Sequence, residues 1–167
     1  MARVGKAVAL AVPLTILYLI YTGSWSLFEA VLGFIVSFIV GLLFADVVVH
    51  RPGKMYNPAR WLWALVYAIL YFTVIEMKAH AEVVKLILSP GKARPGIVRI
   101  SYSVETDYAV TTIANSITNT PGTVVVDIDE KEKKMYVHWI RVLDETDEGA
   151  RRHVSEVFER YAKRIFD

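Results

Sequence analysis

The stretch that decides the fold is residues 7–49, AVALAVPLTILYLIYTGSWSLFEAVLGFIVSFIVGLLFADVVV. Its only charged residues are Glu29 and Asp46, and a turn at 23–26 divides it into two apolar runs. About 20 apolar residues are needed for a helix to cross the roughly 30 Å of hydrocarbon in a bilayer. We therefore predict two membrane-spanning helices joined by a short turn. Pro13 is compatible with this, because neighbouring groups satisfy the freed carbonyl in a membrane helix.

The N-terminus also has some features of a secretory signal peptide. Arg3 and Lys6 precede the first apolar run, as the basic residues of a signal peptide do. The segment 22–26 contains no convincing A-x-A cleavage site, and a second apolar run follows at once. A retained helical hairpin is the interpretation we favour.

Charge is divided very unevenly along the 167 residues. Residues 1–75 hold seven of the 36 charged residues, and residues 76–167 hold the other 29. This division predicts a membrane-embedded first half and a water-exposed second half. The net charge is only +2 and basic residues alternate with acidic ones, so we expect no nucleic acid partner.

Several kinds of chemistry are excluded by composition and spacing. The chain has no cysteine, which rules out disulfides, zinc–thiolate sites, iron–sulfur clusters and cysteine nucleophiles. Phosphate-binding glycine loops and nucleophile elbows are also missing from the sequence. We therefore predict no cofactor, no metal and no catalytic residue. The histidines lie far apart without metal-ligand spacing: His50, His80, His138 and His153.

Basic residues predict the orientation of the hairpin. Arg3 and Lys6 precede it, Arg51, Lys54 and Arg60 follow it, and the turn at 23–26 has none. Because Lys and Arg accumulate in cytoplasmic loops, both ends of the hairpin are predicted to face the cytoplasm.

A third apolar run, residues 61–75, allows two interpretations. Asn57 and Pro58 suit the start of a helix, and the run is followed by charged residues from Glu76 onward. The helix could be a third span, which would place the second half of the chain outside the cell. It could instead be a long helix that lies partly at the interface. We favour two spans and a membrane-associated third helix, because every Lys and Arg then stays on one side.

Small residues recur every four positions along the second predicted helix. Gly33, Ser37 and Gly41 share one face, and small residues let the backbone of a neighbouring helix approach closely in lipid. We predict a helix-packing face against the first helix or another subunit. The plain alternative is the general tolerance of membrane helices for glycine.

The second half reads as a small α+β domain. Pro and Gly at 89–96 end the third helix, and 97–103 alternates like a strand. Thr106 and Asp107 can begin a helix that a break at 120–123 ends. Two further strands and an amphipathic C-terminal helix follow, at 124–128, 134–142 and 144–166. The predicted fold is thus an α+β membrane protein comprising a transmembrane hairpin (1–56), a third membrane or interfacial helix (57–90) and a cytoplasmic β-α-β-β-α domain (91–167).

Candidate reactive residues are few. The acids at 127–130 fit a solvated hairpin tip better than a cation site, and His138 fits a structural strand histidine. Glu29, Asp46, Glu76 and Lys78 lie at the edges of apolar runs, where interfacial positions explain them. Glu76 is kept as the one possible member of an ion path, because ionisable residues in membrane segments are often functional.

Short motifs in the second half resemble a known family. They are PGIV at 95–98, ETD at 105–107, ANSITNTPGT at 114–123, VD at 126–127 and YVHW at 136–139. Together they resemble the E subunit of Mrp-type multisubunit cation/proton antiporters, from the hairpin to about residue 142. The run at 114–123 is the most specific piece. The signature residues are Asn115, Ser116, Thr118, Pro121, Gly122, Thr123 and His138.

The resemblance implies a small membrane subunit with a cytoplasmic α+β domain. It would work without a substrate of its own in a cell-membrane complex whose large subunits exchange Na+ for H+, and its partners would be those subunits and the lipid bilayer. The same subunit set recurs in archaeal complexes, joined to a ferredoxin-dependent [NiFe] membrane-bound hydrogenase or a sulfur-reducing relative. The segment 99–102, Asn119 and the charged turn at 129–134 depart from the bacterial pattern, and such charge enrichment would suit a hyperthermophile.

Two other functions compete with a role as an accessory subunit. A free-standing membrane sensor or adaptor would be stable alone in detergent as a monomer or homodimer. A small membrane enzyme would need a convergent acid–base or nucleophilic set, and the sequence offers none.

Overall fold

A computed structural model describes residues 2–49 and 52–167. His50 and Arg51 lie outside the described residues. The structure therefore does not describe Arg51, one of the basic residues used to predict the orientation of the hairpin. The chain divides into two compact units, Met1–Pro58 and Ala59–Asp167.

The first unit is the predicted helical hairpin. Helix α1 spans Ala2–Thr22, α2 spans Leu27–Val48, and a short α3 spans Pro52–Met55. Gly23 adopts a left-handed φ of 66°, which permits the tight turn. The Ser26 hydroxyl accepts a hydrogen bond from the backbone N–H of Glu29 at 3.2 Å and so caps α2.

The second unit begins with one long helix, Pro58–Leu88. It consists of α4 (Pro58–Leu70), a π-helical turn (Tyr71–Ile75) and α5 (Glu76–Leu88). By length and apolar composition this helix and two others, Arg3–Thr22 and Leu27–Val48, could each cross a membrane. The π-helical turn was not predicted from the sequence.

The remainder of the second unit is the α+β domain, which follows the predicted order β-α-β-β and ends in two helices where one was predicted. The elements after a 3-10 turn at Pro90–Lys92 are β1 (Gly96–Ser101), α6 (Asp107–Asn119), β2 (Thr123–Asp129), β3 (Lys134–Trp139), α7 (Asp147–Val154) and α8 (Glu156–Phe166). The prediction of one helix over 144–166 was wrong, because the helix is interrupted at Ser155. The Ser155 hydroxyl donates to the Arg151 carbonyl at 3.3 Å, a local bond that competes with regular helix.

The three strands form an antiparallel sheet in the order β1-β3-β2. Val98 and Val125 both pair with Val137, and these residues point to the core. On the core face the sheet packs with buried residues of α6 and α8, and also with Tyr71 of the long helix. The long helix therefore contributes to the same hydrophobic core as the sheet.

Candidate functional site at the signature segment

The signature segment 114–123 covers the last turns of α6 and the connection to β2. Ser116 and Ile117 are buried, whereas Asn115 and Thr118 are exposed. The Ser116 hydroxyl donates to the Thr112 carbonyl at 2.7 Å. The segment thus forms a helix end whose inner face belongs to the core.

Threonine hydroxyls bond to backbone groups in the last turn of α6 and after it. The hydroxyl of Thr120 donates to the Ser116 carbonyl, and that of Thr123 to the Ile117 carbonyl, each at 2.7 Å. The Thr118 hydroxyl accepts from the backbone N–H of Val125 at 3.2 Å and ties α6 to β2. Since the last carbonyls of a helix need such partners, these threonines fix the turn from helix to strand.

Gly122 occupies a position that other residues fit poorly. Its φ is 96°, a conformation that favours glycine. A Cβ atom there would lie 3.0 Å from Cγ2 of Ile140 and 3.5 Å from Cγ2 of Val83. The Gly122 carbonyl accepts from the N–H of Ile140 at 2.9 Å. The absence of a side chain at Gly122 therefore lets the turn pass close to Ile140, just after β3, and to Val83 of the long helix.

Two tyrosines of the long helix reach the signature segment. The hydroxyls of Tyr67 and Ser116 are hydrogen-bonded. Tyr71 is 8% exposed, and its hydroxyl lies 3.4 Å from the Ser116 carbonyl and 3.5 Å from the Thr120 hydroxyl. The signature segment is thus the place where the long helix joins the α+β domain.

Aromatic packing extends this junction along α8. The ring of Tyr67 stacks on Tyr161 at 5.3 Å, and the ring of Tyr71 lies 6.0 Å from that of Phe158. The Arg164 guanidinium lies 4.4 Å from the centre of the Trp63 ring, close enough for a cation–π contact.

The residues of the long helix that form this junction were not predicted from the sequence. Trp63, Tyr67 and Tyr71 are spaced four apart and so share one helix face. That spacing was the available signal. The spacing was not distinctive, because the whole run 61–75 is uncharged and predicts contact with the membrane on all sides.

Of the remaining sequence-predicted residues of the α+β domain, His138 lies away from this turn and Pro121 lies in it. His138 is exposed on the outer face of the sheet, where it pairs with Ile97 and Val124. Pro121 is half-buried beside Gly122. The structure thus gathers Ser116, Thr118, Gly122 and Thr123 at one turn and leaves His138 apart.

Glu76 begins α5, directly after the π-helical turn. Its side chain is 18% exposed, and Oε2 lies 3.4 Å from Nδ1 of His80. Its Oε1 is buried and has no hydrogen-bond partner in the part of the chain that the structure describes. Over the same residues, no three side chains of metal-binding type lie together. The site offers hydrogen bonding and packing, which suit the joining of two elements.

The small residues of α2 face α1. Gly33, Ser37, Gly41 and Ala45 are the buried residues of α2. A Cβ atom at Gly41 would lie 2.6 Å from the backbone carbonyl of Ala7, and one at Gly33 would lie 2.5 Å from the Tyr18 ring. The two helix backbones therefore approach closely at Gly41, and the Tyr18 ring of α1 fills the space at Gly33.

Charged side chains of the hairpin pair at its two ends. Lys6 and Arg3 lie 3.0 and 3.5 Å from the carboxylate of Asp46. The Tyr18 hydroxyl donates to Glu29 at 2.5 Å, and Glu29 belongs to the first turn of α2. Both acids are thus engaged within the hairpin itself.

Comparison with known proteins gives consistent matches over most of the chain. The profile of the MNHE family, described as a Na+/H+ ion antiporter subunit, matches residues 11–165. The E1 subunit of a Na+/H+ antiporter of Staphylococcus epidermidis is 34% identical over 129 residues, which cover 75% of this chain and 77% of that protein. The corresponding E subunit of Alkalihalophilus pseudofirmus is 31% identical over 128 residues, covering 76% and 79%.

A solved structure matches the whole fold. It is a chain of the membrane-bound sulfane sulfur reductase, an archaeal respiratory membrane complex. The match covers 97% of this chain and 99% of that chain, with 30% sequence identity and a TM-score of 0.84.

Proposed function

Since this chain belongs to the family of Na+/H+ antiporter E subunits, we propose that it is a non-catalytic structural subunit of an Mrp-type antiporter module that exchanges Na+ for H+ across the cell membrane. Its partners are the other membrane subunits and the lipid bilayer. The family and the apolar helices already establish a membrane location.

One observation carries this proposal: the placement of charge in the hairpin. Cation/proton exchange requires ionisable groups linked across the bilayer. The only acids of residues 2–49 are Glu29 and Asp46, which belong to the first and last turns of α2. Asp46 is paired with Arg3 and Lys6, and Glu29 with Tyr18. The hairpin therefore supplies no chain of ionisable groups across the bilayer, and its small-residue stripe suits a hairpin that holds its shape among neighbouring subunits.

We assign one role to each of three parts of the chain. The hairpin, 1–56, anchors this protein among the membrane helices of its neighbours. The helix at 57–90 links the hairpin to the domain at 91–167, which braces the complex from the cytoplasm. The orientation rests on Arg3, Lys6, Lys54 and Arg60, which flank the hairpin, and on the absence of basic residues from the turn at 23–26.

A second candidate is the same structural role in an archaeal energy-converting complex, such as a membrane-bound [NiFe] hydrogenase or sulfur reductase that couples ferredoxin oxidation to ion translocation. The likeness to a chain of the sulfane sulfur reductase over 97% of this chain favours it. The local role of this chain is the same in both cases.

Co-purification tests these proposals. The tagged chain is isolated from its native membrane in mild detergent, and the proteins that accompany it are identified by mass spectrometry. Antiporter subunits alone support the first candidate, and additional hydrogenase or reductase subunits support the second. A chain that purifies alone as a stable monomer or homodimer contradicts both.

The variant Glu76→Gln tests the non-catalytic role. Glutamine keeps the size and hydrogen bonding of the side chain but removes its charge, so we expect full Na+/H+ exchange in vesicles containing the complex. Glu82→Gln is the matched control, because Glu82 lies on the same helix with its side chain 59% exposed. Normal assembly with loss of exchange in Glu76→Gln alone would place Glu76 in the ion path and contradict the proposal.

A further inference from the structure

The long helix contacts the α+β domain along most of its length. The Arg60 guanidinium donates to the Ile165 carbonyl at 2.7 Å near one end, and Glu82 lies 3.7 Å from Arg141 near the other. Trp63, Tyr67 and Tyr71 make the contacts in between. At about 1.5 Å per residue, residues 60–82 cover about 33 Å, which is at least the thickness of the hydrocarbon core.

The elements alongside this helix are highly charged. Helix α8 alone carries Glu156, Glu159, Arg160, Lys163 and Arg164. A charged side chain at the centre of a bilayer costs several kcal/mol. If residues 60–82 crossed the membrane, α8 and the signature segment would have to enter the hydrocarbon or separate from the helix. Separation would remove Tyr71 from the core, so the folded second unit is incompatible with a third span.

The opposite face of the long helix is strongly apolar and more than half exposed. Exposed fractions along it are 53% for Trp61, 57% for Leu65, 58% for Ile69, 73% for Phe72 and 70% for Met77. No charged residue lies between Arg60 and Glu76. Soluble surfaces rarely keep contiguous apolar patches of this extent unless they bind a protein or a membrane.

Three features identify lipid as the occupant of this face. Only eight residues separate Val49, just after the end of α2, from Pro58, so the long helix starts within reach of the bilayer surface. Trp61, a residue type enriched at membrane interfaces, lies on the face. Lys78 and Lys85 are exposed on α5, where they can contact anionic headgroups.

We propose that the long helix lies in the plane of the membrane, with the face formed by Trp61, Leu65, Ile69, Phe72 and Met77 immersed at the boundary between headgroups and acyl chains. The opposite face holds the α+β domain. This lipid face keeps the domain at the membrane surface. The residues of this face along α4 all lie at a similar, shallow depth. In a spanning helix the depth would change along the helix.

Depth measurement by spin labelling tests this arrangement. Single cysteines at Leu65, Ile69 and Phe72 are introduced into the cysteine-free chain, and each is labelled with a nitroxide. The purified complex is reconstituted into phosphatidylcholine and phosphatidylglycerol vesicles. Label access to apolar oxygen and to a water-soluble nickel reagent is compared. Ile39, near the middle of α2, is the control for deep immersion, and Ser101, exposed on β1, is the control for water.

We expect the ratio of oxygen to nickel access to be about the same at all three positions, above the value at Ser101 and below that at Ile39. A ratio at Ile69 equal to that at Ile39 would mean a spanning helix and would overturn the proposal. Immobile labels closed to both reagents would mean that another protein covers the face, which also overturns it. Ratios equal to that of Ser101 would mean that the face is exposed to water, and they would overturn the proposal as well.

Discussion

At the scale of single residues, Glu159 is a buried carboxylate of the α+β domain, and both of its oxygens have partners. Its side chain is 5% exposed. Oε1 accepts from the backbone N–H and the hydroxyl of Ser103, both at 2.7 Å, and Oε2 lies 2.9 Å from Nε of Arg151. The carboxylate thus joins α8 to α7 and to the segment after β1.

Replacement of Glu159 by alanine is expected to reduce the free energy of unfolding by about 3 kcal/mol, because it leaves the Arg151 charge and a Ser103 donor without their partner. Chemical denaturation of the full chain in detergent, followed by circular dichroism, measures the change. Glu156→Ala is the control, because its ion pair with Arg160 is exposed at 3.7 Å and contributes about 0.5 kcal/mol or less. Equal losses in the two variants would contradict the assignment.

Gly122 gives a second prediction at this scale. Alanine at this position meets both an unfavourable φ of 96° and the side chain of Ile140, so we expect a loss of about 1–3 kcal/mol. Gly91→Ala should have little effect, since no atom lies within 4 Å of its Cβ position. The thermal unfolding midpoints of the two variants provide the comparison. A midpoint for Gly122→Ala as high as that for Gly91→Ala would argue against strain at the turn.

Local residue roles could be predicted from the sequence better than distant ones. Thr106 caps α6 by accepting from the N–H of Ala109 at 3.4 Å, three residues away, and the sequence predicted a helix start there. Ser103, the partner of Glu159, is 56 residues away, and no periodicity in the sequence predicts such a pair. The role of Ser116 likewise depends on Tyr67, 49 residues earlier.

At the scale of elements, the π-helical turn Tyr71–Ile75 sets which side of α5 faces the domain. A regular helix continued from Tyr67 and Tyr71 would bring Lys78 and Lys85 round to the domain side. The wider turn shifts the register by about one residue. As a result Ala79, Val83 and Leu86 are the partly or fully buried positions, and the two lysines are exposed.

The hairpin yields a prediction about helix packing. Gly41→Ala places a Cβ atom 2.6 Å from the Ala7 carbonyl, which belongs to the backbone and cannot turn aside. We expect a loss of about 1–3 kcal/mol from overpacking, measured as a lower midpoint of unfolding in mixed detergent and SDS. Gly33→Ala should lose less, because the ring of Tyr18 can rotate.

Gly5→Ala is the control for helix propensity in the same hairpin. No atom lies within 4 Å of its Cβ position, so alanine there should leave the midpoint unchanged or raise it. If Gly41→Ala behaved like Gly5→Ala, the close approach of α1 and α2 would not be important for stability.

Periodicity predicted most elements but not where they deviate from ideal geometry. The sequence identified the hairpin because two strongly apolar runs of spanning length are a strong signal. It did not reveal the break at Ser155, since the apolar spacing continues through it from Val154 to Phe158 and Ala162. The π-helical turn was missed for a similar reason, because apolar residues surround it on every side of the helix.

At the scale of the whole molecule, the orientation proposed from the basic residues predicts which positions are accessible from each side of the membrane. A cysteine at Ser24, in the turn of the hairpin, should react with an impermeant thiol reagent added to intact cells. A cysteine at Lys133, an exposed residue of the β2–β3 turn, should react only after the membrane is opened. The unmodified chain contains no cysteine and gives the background. Labelling of both positions in intact cells would place the domain outside.

The order of elements along the chain has a consequence for biosynthesis. The end of the long helix precedes the start of α8, the helix that covers Trp63 and Tyr67, by about 70 residues, which take about 3–14 s to synthesise at 5–20 residues per second. During that interval both sides of the long helix are without their protein partners. The lipid face of the long helix can bind the bilayer surface immediately. Tyr67 and Tyr71 on the other face therefore stay exposed to water until α8 has been synthesised. Folding of the domain is therefore expected to begin on lipid rather than in free solution.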